Sequence, residues 1–330
     1  MRLHILKELI DGPWGGGNQF LKNLRNAWRA EGIYAESPVD AQGILLNSHH
    51  NLPDAVILKY RFPEKVFVHR LDGPIYLGRK NGQKLDNFIF YAAGLISEGV
   101  VFQSAFSRGL CLAAGMKTPQ VESTIMNAPD PNLFYPKKGH KIGKKVRLIA
   151  TSWSTNSTKG FDIYEFLDQH LDFERFQMTF VGNSSVQFKN IQLVPPQNSA
   201  DLAMLLREHD IFITASRVDP CSNSLVEGLH CGLPAVARKS GGHPEIVGEA
   251  GTLFKGEDDV IDAINKVADN YEFYRNRITL PNISQVAAQY HQVFKDAITA
   301  RTTGRGHRLS LRSCISFFAK WGWLRANKVV

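Results

Sequence analysis

The feature that most restricts what this chain can fold into is an alternation that runs along its whole length. Short apolar runs recur, each followed by a turn and a helix-like segment. In the first half they are Arg2–Lys7, Gly43–Asn47, Ala55–Leu58, Val66–His69, Val100–Gln103 and Ser123–Met126. In the second half they are Val146–Thr151, Gln177–Val181, Ile191–Val194, Ile211–Ala215, Pro234–Ala237 and Thr252–Phe254. Several lack apolar–polar alternation, as strands buried on both faces do. Gln19–Ala30, Leu85–Ile96, Phe161–Gln169, Ala200–Glu208 and Ser222–His230 read as intervening helices. Repetition of this kind predicts an α/β architecture with parallel sheets.

The chain has 330 residues, 43% apolar and 21% charged, which suits about two ordinary globular domains. A break falls across Pro131–Lys145, where Pro131, Pro136, Gly139 and Gly143 are mixed with Lys137, Lys138, Lys141, Lys144 and Lys145. It reads as a linker between two doubly wound halves. The expected division is 1–138, 139–300 and a basic segment 301–330. Two doubly wound domains facing one another leave a cleft. Ligands of open parallel sheets bind outside the carboxyl ends of the strands, so the loops just after strands carry the information.

Several nucleotide motifs are missing. There is no G-x-x-x-x-G-K-[ST], and Gly15-Gly16-Gly17 runs into Asn18-Gln19-Phe20 without the third glycine of G-x-G-x-x-G. No D-x-D occurs, so a carboxylate pair that would hold a diphosphate through a metal is not visible. Gly15–Gly17 still joins a strand to a helix, where it is either a tight turn or a place for a ligand to approach the backbone. In the second half, Ser152–Gly160 is a polar loop that reaches Lys159 just before a helix. Ser216–Glu227 contains Asp219-Pro220-Cys221-Ser222, a helix start, and places Glu227 inside that helix. Gly241-Gly242-His243-Pro244-Glu245 opens another helix. Each loop alone could be capping chemistry; three after successive strands point to a shared site.

These residues resemble a known family. Asp219 and Glu227, spaced as E-x7-E, are followed by Cys231-Gly232-Leu233-Pro234-Ala235 and Gly241-Gly242-His243-Pro244-Glu245-Ile246-Val247. Together they resemble the donor-binding region of retaining GT-B glycosyltransferases of family 4, the glycosyl transferases group 1. Thr158-Lys159-Gly160, Phe180-Val181-Gly182, Asn127-Ala128-Pro129-Asp130, Phe102–Ser107 and His69–Pro74 extend the likeness. The resemblance implies a GT-B fold of two facing Rossmann-like domains with an interdomain cleft. It implies a metal-independent, retaining transfer from a UDP- or GDP-sugar to a glycan or lipid-linked acceptor, as in surface polysaccharide or glycoconjugate biosynthesis. No cofactor is expected; the nucleotide-sugar is a substrate.

By the same resemblance Asp219 contacts donor-sugar hydroxyls, Glu227 the ribose hydroxyls and Lys159 the phosphates. The amides of Ser222, Asn223 and Ser224 hold the diphosphate at the helix start, with Leu225, Ser154, Gly16 and Gly17 also on the donor. Two departures stand out. Asp219 is one methylene shorter than the usual Glu, and Ser154 stands where the family commonly has Arg. They keep a second reading open, a GT-B-shaped protein that binds sugar nucleotides or glycans without transferring. His69 and Asp72 follow a strand of the first half, where they either orient acceptor or sugar or serve as structural hydrogen bonders.

Lys and Arg exceed Asp and Glu by 39 to 31, and seven of the basic residues lie in 301–330, which has no acidic residue. The body is therefore near neutral, and a nucleic-acid partner is not expected. In the tail, Leu311, Cys314, Ile315, Phe318 and Trp321 share a helical face. That face either packs back on the first domain or lies on an anionic membrane. Lys7, Glu8 and Asp11 interrupt any signal-like stretch, no apolar run nears the roughly 20 residues of a span, and the four cysteines form no C-x-x-C. A cytoplasmic setting is expected, with peripheral contact at the inner face of the membrane as an option.

Overall fold

The computed structural model describes residues 1–10, 16–78, 81–303 and 308–330. It contains two parallel sheets. The first has five strands in the order β1 (Leu3–Ile5), β2 (Gly43–Asn47), β3 (Val66–Leu71), β4 (Gly99–Phe102), β5 (Val121–Thr124). The second has six: β6 (Val146–Ser152), β7 (Phe176–Gly182), β8 (Gln192–Val194), β9 (Ile211–Thr214), β10 (Ala235–Arg238) and β11 (Gly251–Phe254). Their spatial order is β11-β10-β9-β6-β7-β8. The expected α/β class with parallel sheets is what the chain forms. One run departs from expectation: Ala55–Leu58 lies in the helix Leu52–Arg61. Pro53 sits in its first turn, and its buried residues Leu52, Ala55, Val56 and Lys59 follow helical spacing.

The compact units run differently from the expected boundaries. One comprises Met1–Leu9, Leu21–Met126 and Ile283–Val330; the other comprises Ile10–Phe20 and Asn127–Asn282. The helix Ile283–Thr303 thus belongs with the first sheet. It buries Val286, Ala287, Tyr290 and Phe294 there, and Trp28 Nε1 donates to the Ala287 carbonyl at 3.2 Å. The other face of that sheet, through Ile44, Leu46, Phe67, Val100 and Phe102, packs on the helices Leu52–Arg61, Gly82–Ile96 and Leu311–Ala326. A buried ion pair, Lys59–Glu98, ties this layer to β3, because Glu98 Oε2 also accepts Phe67 N at 2.8 Å. Arg301 joins it by donating to the Lys65 carbonyl at 2.9 Å.

In the second unit the chain leaves β6 toward β7 on one side and leaves β9 toward β10 on the other. Adjacent strands whose connections diverge create a crevice at their carboxyl ends. Local contacts draw the two loops there together. Arg217 N donates to the Thr158 carbonyl at 2.8 Å, and Ala215 N donates to Tyr164 Oη at 3.1 Å. Gly160 has φ of +75°, and a Cβ on it would collide with the Ala215 carbonyl. At the far edge, Asp168 accepts the amides of Lys189, Asn190 and Ile191 at 2.7–2.8 Å and so fixes where β8 begins.

Gly160→Ala meets both a left-handed backbone and a carbonyl in the way. Urea denaturation is expected to show a loss of roughly 2–4 kcal/mol.

Candidate active site

A cavity of about 540 Å³ opens at the carboxyl ends of β6, β7, β8 and β9. All its lining residues belong to the second unit. That volume lies in the range of small-molecule sites. Lys159 reaches it from a single turn, Ser157–Lys159, that follows β6. Asn156 starts this turn by accepting Thr158 N at 3.0 Å, and Asn156 N is in turn held by Ser154 Oγ at 3.1 Å. Asp219 comes from the loop after β9, and Gly242 N donates to its carbonyl at 2.9 Å. The two side chains meet, with Lys159 Nζ 3.1 Å from Asp219 Oδ2, and both remain partly exposed.

The helix Asn223–His230 starts at the same cavity. Its cap is Ser222, whose Oγ accepts Leu225 N at 3.5 Å and sits 3.2 Å from Ser224 Oγ. The amides of Asn223 and Ser224 find no acceptor among the described residues. Two unsatisfied donors and the positive end of the helix dipole make that terminus a place for an anion. Asn223 is itself fixed, because Asn127 Nδ2 donates to its Oδ1 at 3.0 Å. Gly16 packs against the Asn223 side chain so closely that a Cβ would overlap it.

Glu227 lies farther into this helix and still lines the cavity. Among the described residues its carboxylate has no hydrogen bond or ion pair. Removal from water without a compensating partner pushes its pKa up to about 8. The site thus brings together one cation, one paired carboxylate and one carboxyl that is mostly neutral near pH 7. Lys159 is the one basic side chain among the described lining residues. Arg217, a candidate to replace the arginine missing at Ser154, is instead paired with Asp162 at 2.6 Å.

Of the residues expected at the donor site, Lys159, Asp219, Glu227, Gly16, Ser154, Ser222, Asn223 and Ser224 line this cavity together. Gly17 does not line it, since the helix turns it away from Gly16. Leu225 does not either: its side chain is buried and its amide is taken by the Ser222 cap. Gly15 lies outside the described residues. Residues to which sequence reasoning assigned no site role also line it, namely Gln19, Thr151, Ser152, Trp153, Val181, Gly182, Leu202 and the segment Pro196–Ser199. Their signal was position, since Pro196–Ser199 follows the Ile191–Val194 run. The phrase Phe180-Val181-Gly182 was also already part of the resemblance.

His69 and Asp72 belong to the first unit. His69 is fully buried, its Nε2 is 2.7 Å from the Ser48 carbonyl, and burial lowers its pKa to about 4. It is a neutral donor that holds the loop after β2, where Ser48 has φ of +49°, in keeping with the structural one of its two readings. Asp72 is exposed enough to meet solvent and is held by Arg70, by Gln103 Nε2 at 2.8 Å and by Asn47 Nδ2 at 3.3 Å.

The raised Glu227 pKa has a stability consequence. Folding favours the protonated form, so that contribution is full below the ordinary carboxylate pKa and is lost as pH rises through about 8. Between pH 5 and pH 9 the Tm of the wild type is expected to fall more steeply than that of Glu227→Gln, measured by calorimetry at fixed ionic strength.

Comparison with known proteins adds a family to this geometry. Residues 165–270 match the family described as glycosyl transferases group 1. A probable sucrose-phosphate synthase of Thermosipho melanesiensis is 24% identical over 182 residues, covering 47% of this chain and 42% of that protein. The chain's match therefore spans less than half of that relative's length. Among solved structures, sucrose-phosphate synthase from Thermosynechococcus elongatus superposes with a TM-score of 0.71 at 15% identity, covering 91% of this chain and all of that one. HepE from Anabaena in complex with UDP-glucose gives 0.63 at 17% identity, over 91% of this chain and 97% of that one. Trehalose 6-phosphate synthase from Burkholderia multivorans gives 0.59 at 12% identity, over 86% and 77%. Residues 165–270 thus match the glycosyl transferases group 1 family, and the chain has a GT-B fold.

Proposed function

We propose that this protein is a hexosyltransferase that moves a sugar from a UDP- or GDP-sugar to a glycan or lipid-linked acceptor. The anomeric configuration is retained and no metal is required. The observation that carries the reading is the convergence of Lys159, Asp219, Glu227 and the open amides of Asn223 and Ser224 on one cavity. A solved neighbour of the same fold holds UDP-glucose, which supports a nucleotide-sugar donor. The setting that fits best is surface polysaccharide or glycoconjugate synthesis in the cytoplasm, at the inner face of a membrane.

Each group then has a defined task. As the bond between sugar and diphosphate breaks, charge grows on the phosphate. The Lys159 ammonium and the two helix amides are already oriented toward it, so little reorganisation is needed. Asp219 accepts hydroxyls of the donor sugar and at the same time positions Lys159. Glu227 accepts the ribose hydroxyls. Hydroxyl donors favour the ionised carboxylate, so donor binding releases the proton that burial otherwise keeps on Glu227.

Two measurements test the reading. Lys159→Ala is expected to lower transfer by about 10²–10³ while leaving the fold intact, the cost of losing one preorganised electrostatic donor. Calorimetric titration of UDP-glucose or GDP-mannose at pH 7, in buffers of different ionisation enthalpy, is expected to show release of up to about one proton by the wild type and none by Glu227→Gln. A donor that binds with no transfer or hydrolysis would favour the second reading, a sugar-nucleotide-binding protein. The pairing of Lys159 with Asp219 and of Arg217 with Asp162 is the observation on that side. Full transfer by Lys159→Ala would remove the site assignment.

A further inference from the structure

We infer that the outward face of the C-terminal helix docks the protein on an anionic lipid surface. The helix Leu311–Ala326 is capped by Ser310 and packs one side into its own unit. Cys314, Phe317 and Leu324 are buried. The Phe88 ring lies 5.1 Å from Phe317 and 5.5 Å from Trp321. The stripe read from the sequence therefore divides. Cys314 and Trp321 turn inward, whereas Leu311, Ile315 and Phe318 form a second row on the opposite side, 62%, 61% and 40% exposed. Gly322 and Ala326 continue that row without a charge. A helix that already buries one face in protein gains nothing from three large apolar side chains in water on the other.

The flanks give the partner its sign. Arg325 borders the row on one side and Arg312 on the other, with Arg308 ahead of the helix and Lys328 behind it, all exposed. Trp323, 52% exposed, stands on the Arg312 side with Lys84 Nζ 5.4 Å from its ring. Residues 301–330 contain no acidic side chain. Apolar side chains between cations, with a tryptophan at their border, match a helix lying in the headgroup layer of an anionic bilayer. A second copy of the chain fits less well, since a two-fold pairing of this face would set cations against cations. The helix lies on the surface instead of crossing it; no helix among the described residues is long and apolar enough to span a membrane.

Docking here rests on the proposed function only for its purpose, which is to meet a lipid-linked acceptor. The test keeps the two apart. The full chain is floated with vesicles of phosphatidylcholine containing phosphatidylglycerol, and with phosphatidylcholine alone. Wild type is expected to bind the anionic vesicles, less so at high salt, and to ignore the neutral ones. Ile315→Glu with Phe318→Glu is expected to weaken that binding at least about tenfold, and Arg312→Gln with Arg325→Gln to weaken it in the anionic vesicles. Because these side chains are exposed, Tm and calorimetric donor binding stay at wild-type values in both double variants. Equal flotation by the Ile315/Phe318 variant, no flotation by wild type, or a wild-type dimer in light scattering that the same variant abolishes would each overturn docking and leave the donor site standing.

Discussion

Everything at the candidate site depends on how β6 and β9 lie side by side, with Leu148 and Ile149 of one in register with Ile211 and Phe212 of the other. Their onward connections diverge, so the backbone cannot cover the space beyond their carboxyl ends. That opening is filled by short loops whose lengths are set by contacts between them. The Thr158 carbonyl takes the Arg217 amide, and Gly160 lies flat against the Ala215 carbonyl. The ammonium at 159 and the carboxylate at 219, distant in sequence, come within 3.1 Å for that reason. The buried apolar side chains of Leu148, Ile211, Ile213 and Phe254 hold the strands in place beneath them.

The electrostatics of the cavity are economical. One cation is held by one carboxylate, two backbone amides are left without acceptors, and a second carboxyl is kept mostly neutral by its surroundings. An unpartnered carboxyl facing a cavity is costly for a folded protein. Such a group is tolerated where a ligand supplies the missing donors, and in the proposed function ribose hydroxyls would supply them. The shorter Asp219 retains its grip on Lys159, so the departure from the family's usual glutamate changes reach more than charge.

The parallel sheets were legible because buried strands carry unbroken apolar runs, and the core of the site was legible because spacing within one helix is local. Glu227 could be placed inside a helix, and Asp219 in the loop just before it, from sequence alone. What was missed depends on contacts between distant segments. Pro196–Ser199 reaches the cavity only because Asp168 receives three amides at the entry to β8, and nothing in a three-residue edge strand announces that. Leu225 was assigned to the ligand although its amide is the one the serine cap consumes. His69 reads as a polar residue after a strand, yet it lies inside β3 and satisfies a carbonyl in a left-handed turn. Ala55–Leu58 shows the ambiguity of short apolar runs, which length and an early proline resolve in favour of a helix.

The first unit is assembled from three separated stretches of chain, the last of them, Ile283–Val330, supplying helices and no strand. That stretch covers one face of the first sheet with Val286, Tyr290 and Phe294, ties Arg301 to the Lys65 carbonyl and seats Phe317 and Leu324 on the other face. A ribosome releases residues in order and domains fold as units. All strands of the second sheet have therefore emerged while the first still lacks its closing helices. The unit whose strands are translated first is thus the unit whose closing helices are translated last, and until they emerge its apolar faces lack their own cover.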